Sequence, residues 1–92
     1  MVRLVAFATA ILLAGCASTA VRFRNATPGA PPTIPAVELR PPGAGPFPAM
    51  VLLHSCHGVL PSTREWGRWF RARGYVALIV DSLTPRGLPC WC

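Results

Sequence analysis

Residues 49–53 read Ala-Met-Val-Leu-Leu, an unbroken apolar run that directly follows Pro48. The run has the length of a β-strand, and unbroken rather than alternating hydrophobicity is typical of a strand covered on both faces, as in a parallel sheet. A second apolar run, at residues 75–80, is richer in β-branched residues. The two runs together predict two neighbouring parallel strands.

The segment between these runs has the signals of a helix. Ser62 and Glu65 have the Ser-x-x-Glu spacing of a capping box at its start, and Gly74 lies where a helix commonly ends in the left-handed conformation. An apolar stripe opposite the arginines is predicted from residues at i, i+3 and i+4, namely Trp66, Trp69 and Phe70. Strand, helix and strand then predict a right-handed βαβ unit.

In a βαβ unit, the loops that follow the two strands lie at the same carboxyl edge of the sheet, where open α/β sheets bind ligands. The first loop, residues 54–58, reads His-Ser-Cys-His-Gly, and the second, residues 81–87, reads Asp-Ser-Leu-Thr-Pro-Arg-Gly. We call these two loops together the rim. Most of the reactive side chains are predicted to converge on it.

The N-terminal residues 1–15 are typical of a secretory signal peptide. Arg3 precedes a ten-residue apolar region that is too short to span a bilayer. Residues 13–16 read Leu-Ala-Gly-Cys, which resembles the lipobox of bacterial lipoproteins. The resemblance implies that Cys16 is lipid-modified and anchors the chain in a membrane. Since Ala17 rather than Asp follows, it also implies an outer-membrane lipoprotein that faces the periplasm. A plain signal peptide with a chance cysteine is the alternative.

Length and composition limit the size of the mature chain and of its folded part. Removing 15 of 92 residues leaves 77, enough for one small core at most. Residues 16–35 are predicted to be a Pro-rich tether, and residues 36–92 to be the folded part. Within that part, residues 36–40 are predicted to be a short edge strand, limited by proline on both sides.

The net charge of +6 comes from nine basic residues, all arginine, against three acidic ones. The densest group follows helical spacing, as a solvated helix face does: Arg64, Arg68, Arg71 and Arg73. We therefore expect no nucleic-acid partner.

Three motifs in order resemble the dienelactone hydrolase family: residues 47–54, the Trp-containing helix, and residues 74–82, extended by residues 84–87. The resemblance covers about residues 36–90. It implies a partial α/β-hydrolase fold, made of the βαβ unit and a possible extra edge strand in an incomplete parallel sheet. It also implies hydrolysis of a carboxylic ester or lactone, without a cofactor or a metal.

In that family a Cys or Ser on a G-x-C/S-x-G elbow is the nucleophile, followed by Asp and His. The 92 residues contain no such elbow. The resemblance therefore implies an N-terminal portion that lacks the triad and is inactive alone, with an ester or lactone substrate bound only if the fold is completed. By motif position, the Cys56 N–H would be an oxyanion donor. The family has a Glu–Arg pair. In this sequence Ser55 stands at the position of the Glu, and Arg86 lies close to the position of the Arg. The resemblance therefore makes Ser55 and Arg86 candidate substrate-binding residues.

Three alternatives remain open. A thiol and imidazole metal site could form from His54, Cys56, His57, Cys90 and Cys92, but their spacing fits no strong zinc template. Because the periplasm is oxidising, we instead expect a disulfide between Cys56 and Cys90, with Cys92 unpaired. From a different functional class, the chain could be a small non-catalytic lipoprotein that acts as a binding or interaction module.

Overall fold

The computed structural model describes residues 18–29 and 31–92. The elements in chain order are β1 (Ser18–Arg24), β2 (Thr33–Leu39), β3 (Ala49–Leu53), α1 (Pro61–Ala72), β4 (Val76–Val80) and a 3₁₀ helix (Thr84–Arg86). The predicted signal peptide and Cys16, the predicted lipidation site, lie outside the described residues. In the part that is described, no helix is long and apolar enough to cross a membrane.

The four strands form one mixed sheet in the order β1-β2-β4-β3. β3 and β4 are parallel, with Ala49 opposite Val76 and Leu53 opposite Val80, and α1 connects them. The predicted strand, helix and parallel strand are therefore confirmed. β2 is antiparallel to both of its neighbours, β1 and β4, so the incomplete parallel sheet that was expected is found only in the β3–β4 pair.

The N-terminal half of the sheet differs from the prediction. β1 pairs with β2 along its whole length, from Ser18 opposite Leu39 to Arg24 opposite Thr33. Residues 18–24 and 33–35, predicted to be tether, are thus strand, and β2 is an interior strand rather than an edge. Alternation in Val-Arg-Phe-Arg, residues 21–24, favours a strand, whereas the prediction followed the prolines alone.

A structured turn allows this proline-rich segment to form a hairpin. The Asn25 N–H donates to the Pro32 carbonyl at 3.0 Å, and the Asn25 side-chain amide donates to the Pro31 carbonyl at 3.1 Å. The Asn25 side-chain oxygen accepts the Thr27 N–H at 3.0 Å, which is an Asx turn. Asn25 therefore donates the hydrogen bonds that close the turn, because the prolines have no N–H to donate.

Helix α1 begins earlier than the predicted capping box. Leu60 is the N-cap, and Pro61 occupies the first helical position, where its missing N–H costs nothing. The Thr63 hydroxyl accepts the Leu60 N–H at 3.4 Å, and the Leu60 carbonyl accepts the Thr63 N–H at 3.0 Å. The prediction that Ser62 and Glu65 cap the helix is wrong, because Pro61 places both of them inside it.

The predicted end of α1 is confirmed. Gly74 has a φ of 86°, in the left-handed region. Its N–H donates to the Arg71 carbonyl at 3.1 Å, and the Tyr75 N–H donates to the Phe70 carbonyl, also at 3.1 Å. These two bonds form a Schellman motif, which ends the helix and turns the chain into β4.

The face of α1 that packs on the sheet is centred on Gly67, which is buried. A Cβ at this position would lie 2.8 Å from Ile79 Cδ1 and 2.9 Å from Leu39 Cδ1. The two tryptophans of the predicted apolar stripe do not face the sheet, since Trp66 and Trp69 are 56% and 43% exposed. Trp69 lies two residues from Gly67, about 200° around the helix, and so points away from the sheet.

The opposite face of the sheet is only partly covered. It carries a small core of Ile34, Ala36 and Val80, against which Val21 and Leu78 pack. Val51 and Leu53 share that face, because they are paired with Leu78 and Val80, yet they are 55% and 77% exposed. The expectation that β3 is covered on both faces is therefore wrong, and no strand among residues 18–29 and 31–92 pairs with its outer edge.

The close approach at Gly67 can be tested with Gly67→Val, which places a branched side chain against Ile79 and Leu39. We expect it to lower the free energy of unfolding by about 1–3 kcal/mol, as overpacking does. Arg68→Val is the matched control, because Arg68 is an exposed neighbour on the same helix. Urea unfolding followed by tryptophan fluorescence measures both. Equal effects of the two substitutions would contradict this packing of Gly67 on the sheet.

Candidate functional site

The rim is held together by His54 and Ser82, one from each loop. The Ser82 N–H donates to His54 Nε2 at 3.0 Å, and the Ser82 hydroxyl lies 2.8 Å from the same nitrogen. On the other side of the ring, His54 Nδ1 lies 2.7 Å from the Ser55 carbonyl oxygen. A carbonyl can only accept, so Nδ1 carries the proton and Nε2 is the acceptor. The convergence expected of the two loops is found in this pair.

A hydroxyl 2.8 Å from an imidazole nitrogen has the separation of a nucleophile and its general base. Here, however, the Ser82 backbone N–H is directed at the same Nε2. A neutral imidazole has a single lone pair at that nitrogen, so the two donors share it. We therefore interpret His54 as a positioning residue that clamps the loops.

Sequence reasoning did not single out Ser82, although a signal for it was present. The register that pairs Leu53 with Val80 carries His54 and the residues after β4 to the same height at the edge of the sheet. A polar residue one or two positions beyond each parallel strand is therefore within reach of its counterpart. Ser82 meets this condition.

Asp81 organises the second loop. One of its carboxylate oxygens accepts the Leu83 N–H at 3.2 Å and the Thr84 N–H at 3.0 Å, and these bonds hold the residues where the 3₁₀ helix begins. Partial burial raises the pKa of Asp81, but hydrogen bonds from the Thr84 hydroxyl and from the N–H groups of Thr84 and Leu83 together lower that pKa below its usual value. This contribution to stability is present above the unfolded-state pKa and is lost as the pH falls through the folded-state pKa.

The structure does not join Ser55 to Arg86, the candidate substrate-binding pair. The Ser55 hydroxyl accepts the His57 N–H at 3.2 Å, within its own loop. The Arg86 guanidinium donates to the Ser82 carbonyl. No hydrogen bond links Ser55 and Arg86 among residues 18–29 and 31–92, so their binding role stays a prediction.

Cys56 forms a disulfide with Cys92, with the two Cα atoms 5.3 Å apart. The predicted pairing of Cys56 with Cys90 is therefore wrong, and Cys92 is not the unpaired cysteine. Cys90 is an exposed free thiol. The Trp91 N–H donates to the Cys56 carbonyl at 2.7 Å, and this bond brings the next residue, Cys92, to the Cys56 side chain.

The clamp can be tested by His54→Ala. This substitution removes the acceptor of the Ser82 N–H, so we expect that amide to exchange with solvent at least tenfold faster. Ser82→Ala is the matched control, because it removes the hydroxyl but keeps the backbone N–H on His54 Nε2. Amide hydrogen exchange measured by NMR distinguishes the two variants. Equal exchange at position 82 in native protein and His54→Ala would exclude the clamp.

No family model matches this chain, and no curated protein matches it. A solved structure from Klebsiella pneumoniae subsp. pneumoniae MGH 78578, provisionally assigned as a dienelactone hydrolase, is similar with a TM-score of 0.59 and 27% sequence identity. The match covers 79% of this chain and 30% of that one. The chain is thus similar in fold to part of a dienelactone-hydrolase-like protein and spans less than a third of its length.

Proposed function

We propose that this chain is the N-terminal part of a carboxylic-ester or lactone hydrolase of the dienelactone hydrolase type. It supplies the oxyanion loop of that enzyme and leaves the nucleophile to another part of the protein. The observation that carries the proposal is the β3-α1-β4 unit with its clamped rim, in a chain similar to 30% of a dienelactone-hydrolase-like structure.

The Cys56 main chain has the chemistry that an oxyanion loop requires. The Cys56 carbonyl accepts a hydrogen bond from the Trp91 N–H. Within the described residues, the Cys56 N–H donates no hydrogen bond. A backbone N–H that is held in place and free to donate can stabilise the negative charge that develops on a tetrahedral intermediate. The clamp between His54 and Ser82 supports this role, because it fixes the start of the loop that carries Cys56.

The uncovered parts of the sheet also support the proposal. β3 is an edge strand with Val51 and Leu53 largely exposed on one face. An exposed apolar edge is a surface that proteins normally cover or pair. Further strands and helices of a larger hydrolase would bury it, and the second oxyanion donor, nucleophile, acid and base would come with them.

We further propose that the chain is held in the cell envelope by lipid on Cys16, at the outer membrane and facing the periplasm. This part rests on the amino-acid sequence alone, namely the short apolar region that ends in Leu-Ala-Gly-Cys. A lipid anchor places the hydrolase at a membrane surface without requiring a transmembrane helix.

The test of the hydrolase proposal uses the full-length protein encoded by the reading frame that contains this chain. Cys56→Pro removes the N–H donor, and we expect its kcat on p-nitrophenyl acetate to fall by about 10²–10³-fold. Cys56→Ala is the matched control, since it also breaks the disulfide but keeps the N–H. Circular dichroism establishes that both variants are folded.

Two results would contradict the proposal. The first is equal kcat for folded Cys56→Pro and Cys56→Ala. The second is hydrolysis by the 92-residue chain that disappears in Cys56→Ala, because the Cys56 thiol would then be the nucleophile. A reading frame without a G-x-C/S-x-G elbow would favour the non-catalytic lipoprotein instead.

The anchor is tested in a Gram-negative host supplied with radioactive palmitate. We expect label on the native chain, recovery in the outer-membrane fraction, and loss of both in Cys16→Ser. Cys90→Ser is the matched control and should remain labelled, because it removes a thiol far from the signal. Equal labelling or fractionation of native chain and Cys16→Ser would rule the anchor out.

A further inference from the structure

We propose that, when the Cys56–Cys92 disulfide is reduced, Cys56, His57 and Cys92 bind one Zn²⁺ ion. The proposal departs from the expectation of no metal and does not depend on the hydrolase function. It rests on three ligand atoms that the fold gathers at the rim, all within 4.8 Å of one another.

The distances among these atoms suit a tetrahedral ion. His57 Nδ1 lies 3.5 Å from Cys56 Sγ and 3.6 Å from Cys92 Sγ. With Zn–S bonds of about 2.3 Å and Zn–N bonds of about 2.0 Å at tetrahedral angles, sulfur and nitrogen lie about 3.5 Å apart. Both sulfur-to-nitrogen distances already have this value. Nδ1 lies close to both sulfurs and is therefore the ligating nitrogen.

Only the two sulfurs need to move. They are bonded in the oxidised form and would lie about 3.8 Å apart around zinc, given the same bond lengths and angles. All three side chains are exposed, so this separation disturbs no core packing. The Trp91 N–H bond to the Cys56 carbonyl does not involve either sulfur and can hold Cys92 near Cys56 after reduction.

The zinc site forms in two steps, reduction of the disulfide and then binding of the ion. A dithiol reductant gives two electrons and two protons to the disulfide, so the S–S bond breaks, two thiols form, and the reductant closes to its own disulfide. Zn²⁺ then binds as both thiols release their protons to water and His57 Nδ1 contributes its lone pair. Oxidation and zinc binding exclude each other, because both use the same two sulfurs.

Three protein ligands leave the fourth position of a tetrahedral zinc ion open. Sites with two Cys ligands and one His ligand belong to the class that keeps such a position for water or a substrate, rather than to closed structural sites. Thiolate and imidazole ligands together favour zinc over magnesium or calcium, which prefer oxygen. Both the types of the three ligands and the distances between them therefore favour zinc.

The test measures zinc affinity of the full 92-residue chain. The protein is reduced with excess dithiol, desalted without oxygen, and titrated with zinc against a chromophoric chelator. We expect one zinc ion per chain, and binding more than tenfold weaker in His57→Ala, Cys56→Ser and Cys92→Ser. Cys90→Ser is the matched control and should bind as the native chain does, since it removes a free thiol outside the cluster.

Cobalt gives a second readout that does not depend on affinity. Co²⁺ bound by the reduced native chain should show thiolate charge-transfer absorption and the visible bands of a tetrahedral ion. The bands should change in His57→Ala and be lost in the Cys56→Ser, Cys92→Ser double variant. Folding of each variant is followed by circular dichroism.

Several outcomes would overturn the assignment. The oxidised chain could bind zinc as tightly as the reduced one, or His57→Ala could bind as the native chain does. Cys90→Ser could weaken binding as much as Cys92→Ser. In each case the three ligands would not be the ones named. Failure of the hydrolase proposal would leave these measurements unaffected, because they involve no ester substrate.

Discussion

The parallel pairing of β3 with β4 is the constraint on which the rest of the molecule depends. Parallel neighbours cannot be joined by a tight turn, so the chain must cross over the sheet, and α1 is that crossover. The same pairing sends both following loops to one edge. His54 can reach the Ser82 N–H because Leu53 and Val80 are level in the register. A slip of one residue would turn these side chains to opposite faces and separate the loops.

Features with a local cause could be predicted from the sequence. The strands β3 and β4 follow from the unbroken apolar runs at residues 49–53 and 75–80, and the end of α1 follows from Gly74, which supplies the left-handed conformation at little cost. The start of α1 is also local, but two signals compete there. Pro61 decided the outcome, because its fixed φ suits the first helical position and moves Ser62 into the helix.

Features with a distant cause could not be predicted. The buried face of α1 is set by how closely the backbone at Gly67 approaches Ile79 and Leu39, and helical periodicity favours the larger tryptophans instead. The choice of Cys92 over Cys90 depends on a hydrogen bond from Trp91 to the Cys56 carbonyl. β1 is an intermediate case, since its alternation is visible in the sequence but its proline-rich surroundings hide it.

Cys56 belongs to both proposals, and the two uses are chemically separable. The proposed oxyanion donor is the backbone N–H, whereas the disulfide and the proposed zinc site use the side-chain sulfur. A bond at the sulfur, to Cys92 or to zinc, restrains the loop without occupying the amide. Disulfide formation and zinc binding would therefore be two ways to restrain the same loop, because each links Cys92 to Cys56. The clamp from His54 to Ser82 acts on the other side of that loop and involves neither sulfur. The position of the Cys56 amide is thus fixed from both sides, and this is what a donor of an oxyanion hole requires, because it must be aligned before charge develops.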